Sequence, residues 1–232
     1  LMDVYLDGVF HPSIYREPKI FKQEGWHYEL PSEDAPLTVN GVVYNEMKGA
    51  FSSPESVLER FTSSVLFPDT PYSNESGGDP AVIPNLSYEQ FIQFHKDYYH
   101  PANSYIYLYG DMDMEEKLLW LDKEYLSAYD KKDFTLDSSI ALQKPFTEPV
   151  EKETTYSVTA NEGTEDNTYL SLNTVVGTDT DPILYVAFQI LDYTLISAPG
   201  APLKQALIDA HIGQDIMGGY ENGILQPYFS VV

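Results

Sequence analysis

Metal or acid–base chemistry in this sequence would have to come from five histidines and a few carboxylates, because it contains no cysteine. The histidines are His11, His27, His95, His100 and His211, and only His95 and His100 are close in sequence. Two imidazoles on one helix share a metal when they are four residues apart and project to the same side. His95 and His100 are five apart, which turns the second well round the helix, and Pro101 breaks the helix there. They read as surface or capping residues. Glu46 is the carboxylate that stands out. One helical turn away lie Val42, Val43, Gly49 and Ala50, so its side chain projects near a small, largely apolar face, where a carboxylate needs a partner. A pairing with Lys48, a solvated position and a metal ligand all fit the residues alone. Gly77 and Gly78 suit a turn or a backbone nest for an anion. Tyr105, Tyr107 and Tyr109 alternate as on a strand, under a core or under a bound peptide. No phosphate-binding loop G-x-x-x-x-G-K-S/T, no G-x-S-x-G elbow, and neither H-E-x-x-H nor H-x-x-E-H is present.

The composition bounds the partners. With 36 acidic against 13 basic residues the formal charge is −23, which repels phosphate backbones and anionic membrane surfaces, so nucleic acid and membranes are not expected partners. The absence of cysteine excludes a disulfide scaffold, a thiolate nucleophile and a Cys-ligated zinc. No uninterrupted apolar run approaches the roughly 18 residues of a membrane span. The start LMDVYLDGVF lacks the features of a secretory signal, and the acidity and lack of cysteine point weakly to the cytoplasm. At 232 residues, 43% of them apolar, the chain can bury one large core or two small ones.

The elements that must carry these residues follow from periodicity and caps. Met2, Leu6, Val9 and Phe10 make a helical stripe that Pro12 stops. Trp26, Tyr28 and Leu30 alternate as a strand. Residues 41–51 read as a helix bearing Glu46, and Ser53 with Pro54 caps the next. After a loop rich in Gly and Pro, Ser87 and Gln90 form a capping box for a helix with Phe91, Phe94 and Tyr98 on its buried stripe. The segment SYIYLYGDMD is expected as a strand, and Asp113 with Glu116 as a second capping box, opening a helix on Leu118, Leu121 and Tyr125. Residues 131–152 are charged, broken by prolines and aperiodic, which suits a linker. Beyond it come a strand on Leu170–Val176, a helix capped by Asp181 and Pro182, a helix near Pro202, and strands around Ile216 and Leu225. The order describes two-layer α/β sandwich units of mixed α/β (α+β) class.

The run GVVYNEMKGAF, with FKQEGWHYEL before it and SGGDPAVIPNLSYEQFIQFHKDYYHPANSYIYLYGDMD after it, resembles the presequence-protease branch of the pitrilysin/insulinase clan of zinc metallopeptidases. These stretches fall in the clan's order and cover most of residues 18–113. A helix ending in YYHPANS and a strand ending in YGDMD are widespread in the clan; QEGWHYEL and GVVYNEMKGAF are more specific to the branch. LKQALIDAHIGQDIMGG reads more softly, as the corresponding part of a second clan domain.

The resemblance implies repeated α/β domains in two halves that enclose a peptide. It also implies zinc held by the two His of an H-x-x-E-H motif and a Glu on a later helix, with the motif's own Glu activating water; the later Glu matches Glu46. Residues 1–130 are then the C-terminal part of the first peptidase domain, 131–152 a linker, and 153–232 the N-terminal part of a second domain. The H-x-x-E-H helix is expected upstream of Leu1 and the other half of the chamber beyond Val232. On its own the chain is therefore expected neither to cleave peptides nor to hold zinc, and it has an open edge or apolar face able to drive self-association. Two alternatives stand beside this reading: a catalytically dead clan member acting as a scaffold or processing-complex subunit, and an acidic α/β binding module.

Overall fold

The computed structural model describes residues 1–134 and 138–232. By contacts the chain divides into two compact units, Leu1–Gly49 with Gly77–Ser138, and Ala50–Ser76 with Ser139–Val232. Both combine helices with a small antiparallel sheet, so the class is α/β as the sequence pattern predicts.

In the first unit, helix α1 (Met2–Phe10) buries Leu6 and Phe10, the inner positions of its predicted stripe, against Leu121 and Tyr125 of and just beyond a later helix. The Tyr125 hydroxyl donates to Asp3, tying the two segments at a polar point beside the apolar one. Helix α2 (Pro18–Glu24) sets Phe21 against Tyr88 and Phe91, with ring centroids 6.1 and 5.5 Å apart. Strands β1 (His27–Glu29) and β2 (Thr38–Asn40) pair antiparallel, with His27 opposite Asn40. Helix α3 (Val42–Ala50) follows at once. Helix α5 (Tyr88–Tyr98) has the full Ser87–Gln90 capping box, in which side chain and backbone satisfy each other's free donors. Helix α6 (Met114–Glu124) has only half of its predicted box: Asp113 accepts from the Glu116 N–H, while the Glu116 carboxylate lies 2.8 Å from Lys117 Nζ.

Two expectations for this unit are corrected. The segment containing Tyr105, Tyr107 and Tyr109 is not a strand; among the described residues none pairs with it, and the three rings are 104%, 85% and 85% exposed. Alternation makes a segment suited to a sheet, but a strand exists only where a neighbour takes its backbone hydrogen bonds. The stripe of α5 is likewise only partly covered: Phe91 touches Phe21, while Phe94 remains 58% exposed.

In the second unit, helix α4 (Pro54–Leu66) starts as predicted, with the Ser53 hydroxyl accepting from the Ser56 N–H. A three-stranded antiparallel sheet has the order β3 (Leu172–Val175), β5 (Tyr228–Val231), β4 (Gly218–Glu221). Helix α7 (Pro182–Asp192) is capped by Asp181, whose carboxylate accepts from the Ile183 and Leu184 N–H groups, and lays Phe188 on Tyr220 and Phe229 of the sheet. A wider π-type turn (Tyr193–Ser197) extends it before α8 (Pro202–Asp209). Phe67, fully buried, packs between Tyr72 and Tyr228.

The aperiodic stretch before this sheet contributes Gln143, which is 6% exposed; its amide exchanges hydrogen bonds with Asp69, and its backbone N–H donates to Gln226. By length and composition Pro182–Asp209 passes for one membrane-crossing helix of mean hydropathy 1.2, which the polar residues within it hide from a search for apolar runs. Its backbone leaves the helical path at Ala198 and re-enters after Ala201, so it is two helical segments rather than one continuous span.

Candidate functional site

Glu46 lies in the middle of α3 with its carboxylate exposed to solvent. Among the described residues it forms no ion pair, with Lys48 or any other cation. Its apolar neighbours Val42 and Val43 are themselves 51% and 37% exposed, so the expected dry face around the carboxylate is open here. An open face removes the desolvation penalty that would demand a partner.

The helix that presents Glu46 is firmly set. Asn40, the last residue of β2, accepts from the Gly41 N–H at 2.8 Å and the Asn45 amide at 2.6 Å, and donates to the Glu29 carboxylate of β1 at 2.8 Å. One side chain thus joins both strands of the hairpin to the first turn of α3. Gly41 sits so close to the preceding turn that a Cβ there would lie 2.2 Å from the Gly25 carbonyl oxygen. On the other side, Met47 is buried against Gly77, whose missing side chain gives it room; the Gly77–Gly78 pair is a turn that receives a side chain.

Four of the five histidines make structural contacts. His27 Nδ1 bonds to the Lys22 carbonyl at 2.7 Å. His95 bridges α5 to the Val9 carbonyl at 2.9 Å and to the Tyr15 hydroxyl at 2.7 Å. His100 accepts the Ala102 N–H and so caps the short turn after α5. His11 stacks on Tyr125 and lies 3.4 Å from Asp7. Among the described residues no three His, Asp or Glu side chains come together as a metal-binding group. One carboxylate does not hold zinc, so the residues of this chain by themselves do not fit that ion. The Asn40 junction escaped sequence reasoning, although N-G between a strand and a helical pattern is a local turn signal that could have marked it.

Comparison with known proteins adds what the geometry lacks. The family model described as "Peptidase M16 inactive domain" matches residues 85–232, a span that excludes Glu46. Protein HypA of Clostridium perfringens is 49% identical over the whole chain, which covers 24% of that protein. Presequence protease 1, chloroplastic/mitochondrial, of Arabidopsis thaliana is 38% identical over the whole chain, covering 22% of it. The mitochondrial presequence protease of Xenopus tropicalis is 35% identical, covering 23%. The chain therefore spans about a quarter of the length of these relatives. With a family model matching well over half of its residues and such relatives along its full length, the chain belongs to the M16 peptidase family, the insulinase clan, in its presequence-protease-like part.

Proposed function

We propose that the protein containing this chain is a zinc-dependent endopeptidase that degrades unstructured peptides in an enclosed chamber, and that Glu46 supplies one carboxylate to a zinc site completed by residues outside 1–232. The observation that carries this reading is the 38% identity, over every part of the chain, to a protein named a presequence protease. A solvent-exposed carboxylate on a braced helix agrees with it, because a ligand needs a lone pair open to the metal and a backbone held in place. In the same reading residues 1–130 belong to one peptidase domain, 131–152 link, and 153–232 begin a second. The chain alone does not cleave, and its exposed apolar residues, among them Ile183 and Ile190 of α7, allow self-association.

A second reading, a catalytically dead scaffold, takes support from the description of the matching model as an inactive domain. One experiment separates them. The full-length protein is assayed with an unstructured fluorogenic peptide, with and without a zinc chelator, beside Glu46→Gln and the 232-residue chain alone. We expect cleavage by the full-length protein that the chelator abolishes, a loss of at least about 100-fold in Glu46→Gln, consistent with removing one of three ligands, and no activity in the chain alone. No cleavage by the full-length protein favours the scaffold, and undiminished activity in Glu46→Gln removes it from the ligand set. Light scattering of the chain at high concentration tests self-association.

A further inference from the structure

A second feature of the first unit is unrelated to Glu46. Where α1 ends, where the turn at Ser13–Tyr15 follows it, and where α5 ends, the surface forms an open depression of about 650 Å³. Phe10, Tyr99 and Tyr129 line it with aromatic surface, and Arg16 and Lys96 line it beside one acid, Asp7. On a chain of net charge −23 with only 13 Lys and Arg, two cations against one acid on one aromatic depression mark a local reversal of sign.

The demands that could occupy those cations are already met by other groups. The carbonyls freed at the two helix ends have donors: Val9 O accepts from His95, His95 O from the Tyr99 N–H, and Tyr98 O from the Asn103 amide. Because the Val9 carbonyl only accepts, His95 Nε2 donates to it, and Nδ1 pairs with the Tyr15 hydroxyl. Of the nearby acids, Asp7 lies beside His11 at 3.4 Å and Asp97 accepts from Gln93. Among the described residues neither Arg16 nor Lys96 takes part in an ion pair. Lys96 lies 5.8 Å from the centre of the Tyr15 ring, which steadies its stem without neutralising it.

We propose that this depression binds a compact oxyanion, a carboxylate or a phosphate, carried on an aromatic or aliphatic body, with Arg16 and Lys96 holding the anion and Phe10, Tyr99 and Tyr129 receiving the body. Arg supplies a planar pair of donors and Lys a point charge, a combination that suits an oxyanion with two or three acceptor atoms. The aromatic walls offer the body a surface to pack on beside the charged groups.

The test is calorimetric titration of the full-length protein with N-acetylphenylalanine, N-acetylphenylalanine amide and phenyl phosphate, each repeated with a zinc chelator present. We expect saturable binding of at least one anion, with the amide at least about tenfold weaker, since it lacks the charge-assisted bonds. The tighter of carboxylate and phosphate identifies the source of the anion. The double variant Arg16→Gln, Lys96→Gln, at exposed positions and checked for an unchanged melting temperature, loses about tenfold or more in affinity. Binding that persists with the chelator is expected; its loss with chelator assigns it to the peptide-cleaving site and overturns the proposal. So do equal binding of the amide, unchanged affinity in the double variant, or no saturable heat from either anion.

Discussion

Arg60 of α4 gathers several jobs in one side chain. Its Nε donates to Glu75 at 2.6 Å, its NH1 donates to the carbonyls of Ala50 and Ser56, and its guanidinium lies 4.0 Å from the Phe51 ring centre. The ion pair is about three-quarters shielded, so it is less screened than a surface pair. Replacing Arg60 by Ala strands those acceptors, and a loss of about 2–3 kcal/mol in urea unfolding is expected, with Arg60→Lys recovering less than half because an ammonium cannot serve the same fork. Two tyrosines give a pH signature. Burial pushes the Tyr228 hydroxyl up to about 12, and Tyr125 reaches about 12 mainly through its hydrogen bond to the Asp3 carboxylate. In the unfolded chain both phenols ionise near 10, so between about 10 and about 12 the unfolded state holds fewer protons than the folded one. The stability these phenols contribute is fully present below pH 10 and is lost as the pH rises through 12. Alkaline melting with phenolate absorbance as the second readout should show this fall, and Tyr228→Phe should flatten it. At this scale the sequence was legible where chemistry is local. Ser53, Ser87, Asp113 and Asp181 each accept the backbone N–H groups their positions predicted, because a cap needs only its own three following residues. The open setting of Glu46 was not legible, since exposure depends on what the rest of the molecule leaves uncovered.

Among the elements, the β1–β2 hairpin with α3 shows why backbone proximity matters as much as side-chain type. A Cβ at Gly41 would meet Gly25 O at 2.2 Å and the Trp26 Cα at 2.7 Å, both backbone atoms that cannot swing away. Gly41→Ala should therefore cost about 1–3 kcal/mol, in the manner of an overpacked core. Gly8, in α1, has nothing within 4 Å of its added Cβ, so Gly8→Ala should raise stability by about 0.5–1 kcal/mol through reduced backbone freedom in the unfolded chain. Thermal melts of the two variants in parallel test the contrast. The helices were readable from sequence because 3.6-residue periodicity and caps are contained within each segment. Strands are less legible: the pattern places β1 and β3, but the strand expected at Tyr105–Tyr109 has no partner among the described residues, and β4 begins two residues after Ile216. Pairing is a property of two segments, and period alone reports one.

For the molecule as a whole, the charge of −23 is the dominant long-range term. Like charges on a folded surface repel, so added salt that screens them should stabilise the fold. Raising sodium chloride from low to physiological concentration should lift the melting temperature by ~2–4 °C if the relief is about 1 kcal/mol; a fall on adding salt would show that ion pairs outweigh the repulsion. The three lysine ion pairs found among the described residues, with Glu116, Glu124 and Asp215, are too exposed to reverse that balance. The order β3–β5–β4 carries a consequence for biosynthesis. The central strand of this sheet is the last of the three to be translated, so β3 and β4 leave the ribosome with no neighbour to pair with. At about 5–20 residues per second β3 waits several seconds for β5. During that interval its exposed edge is open to capture by other nascent chains, and a holdase acting on this protein would have most to protect there.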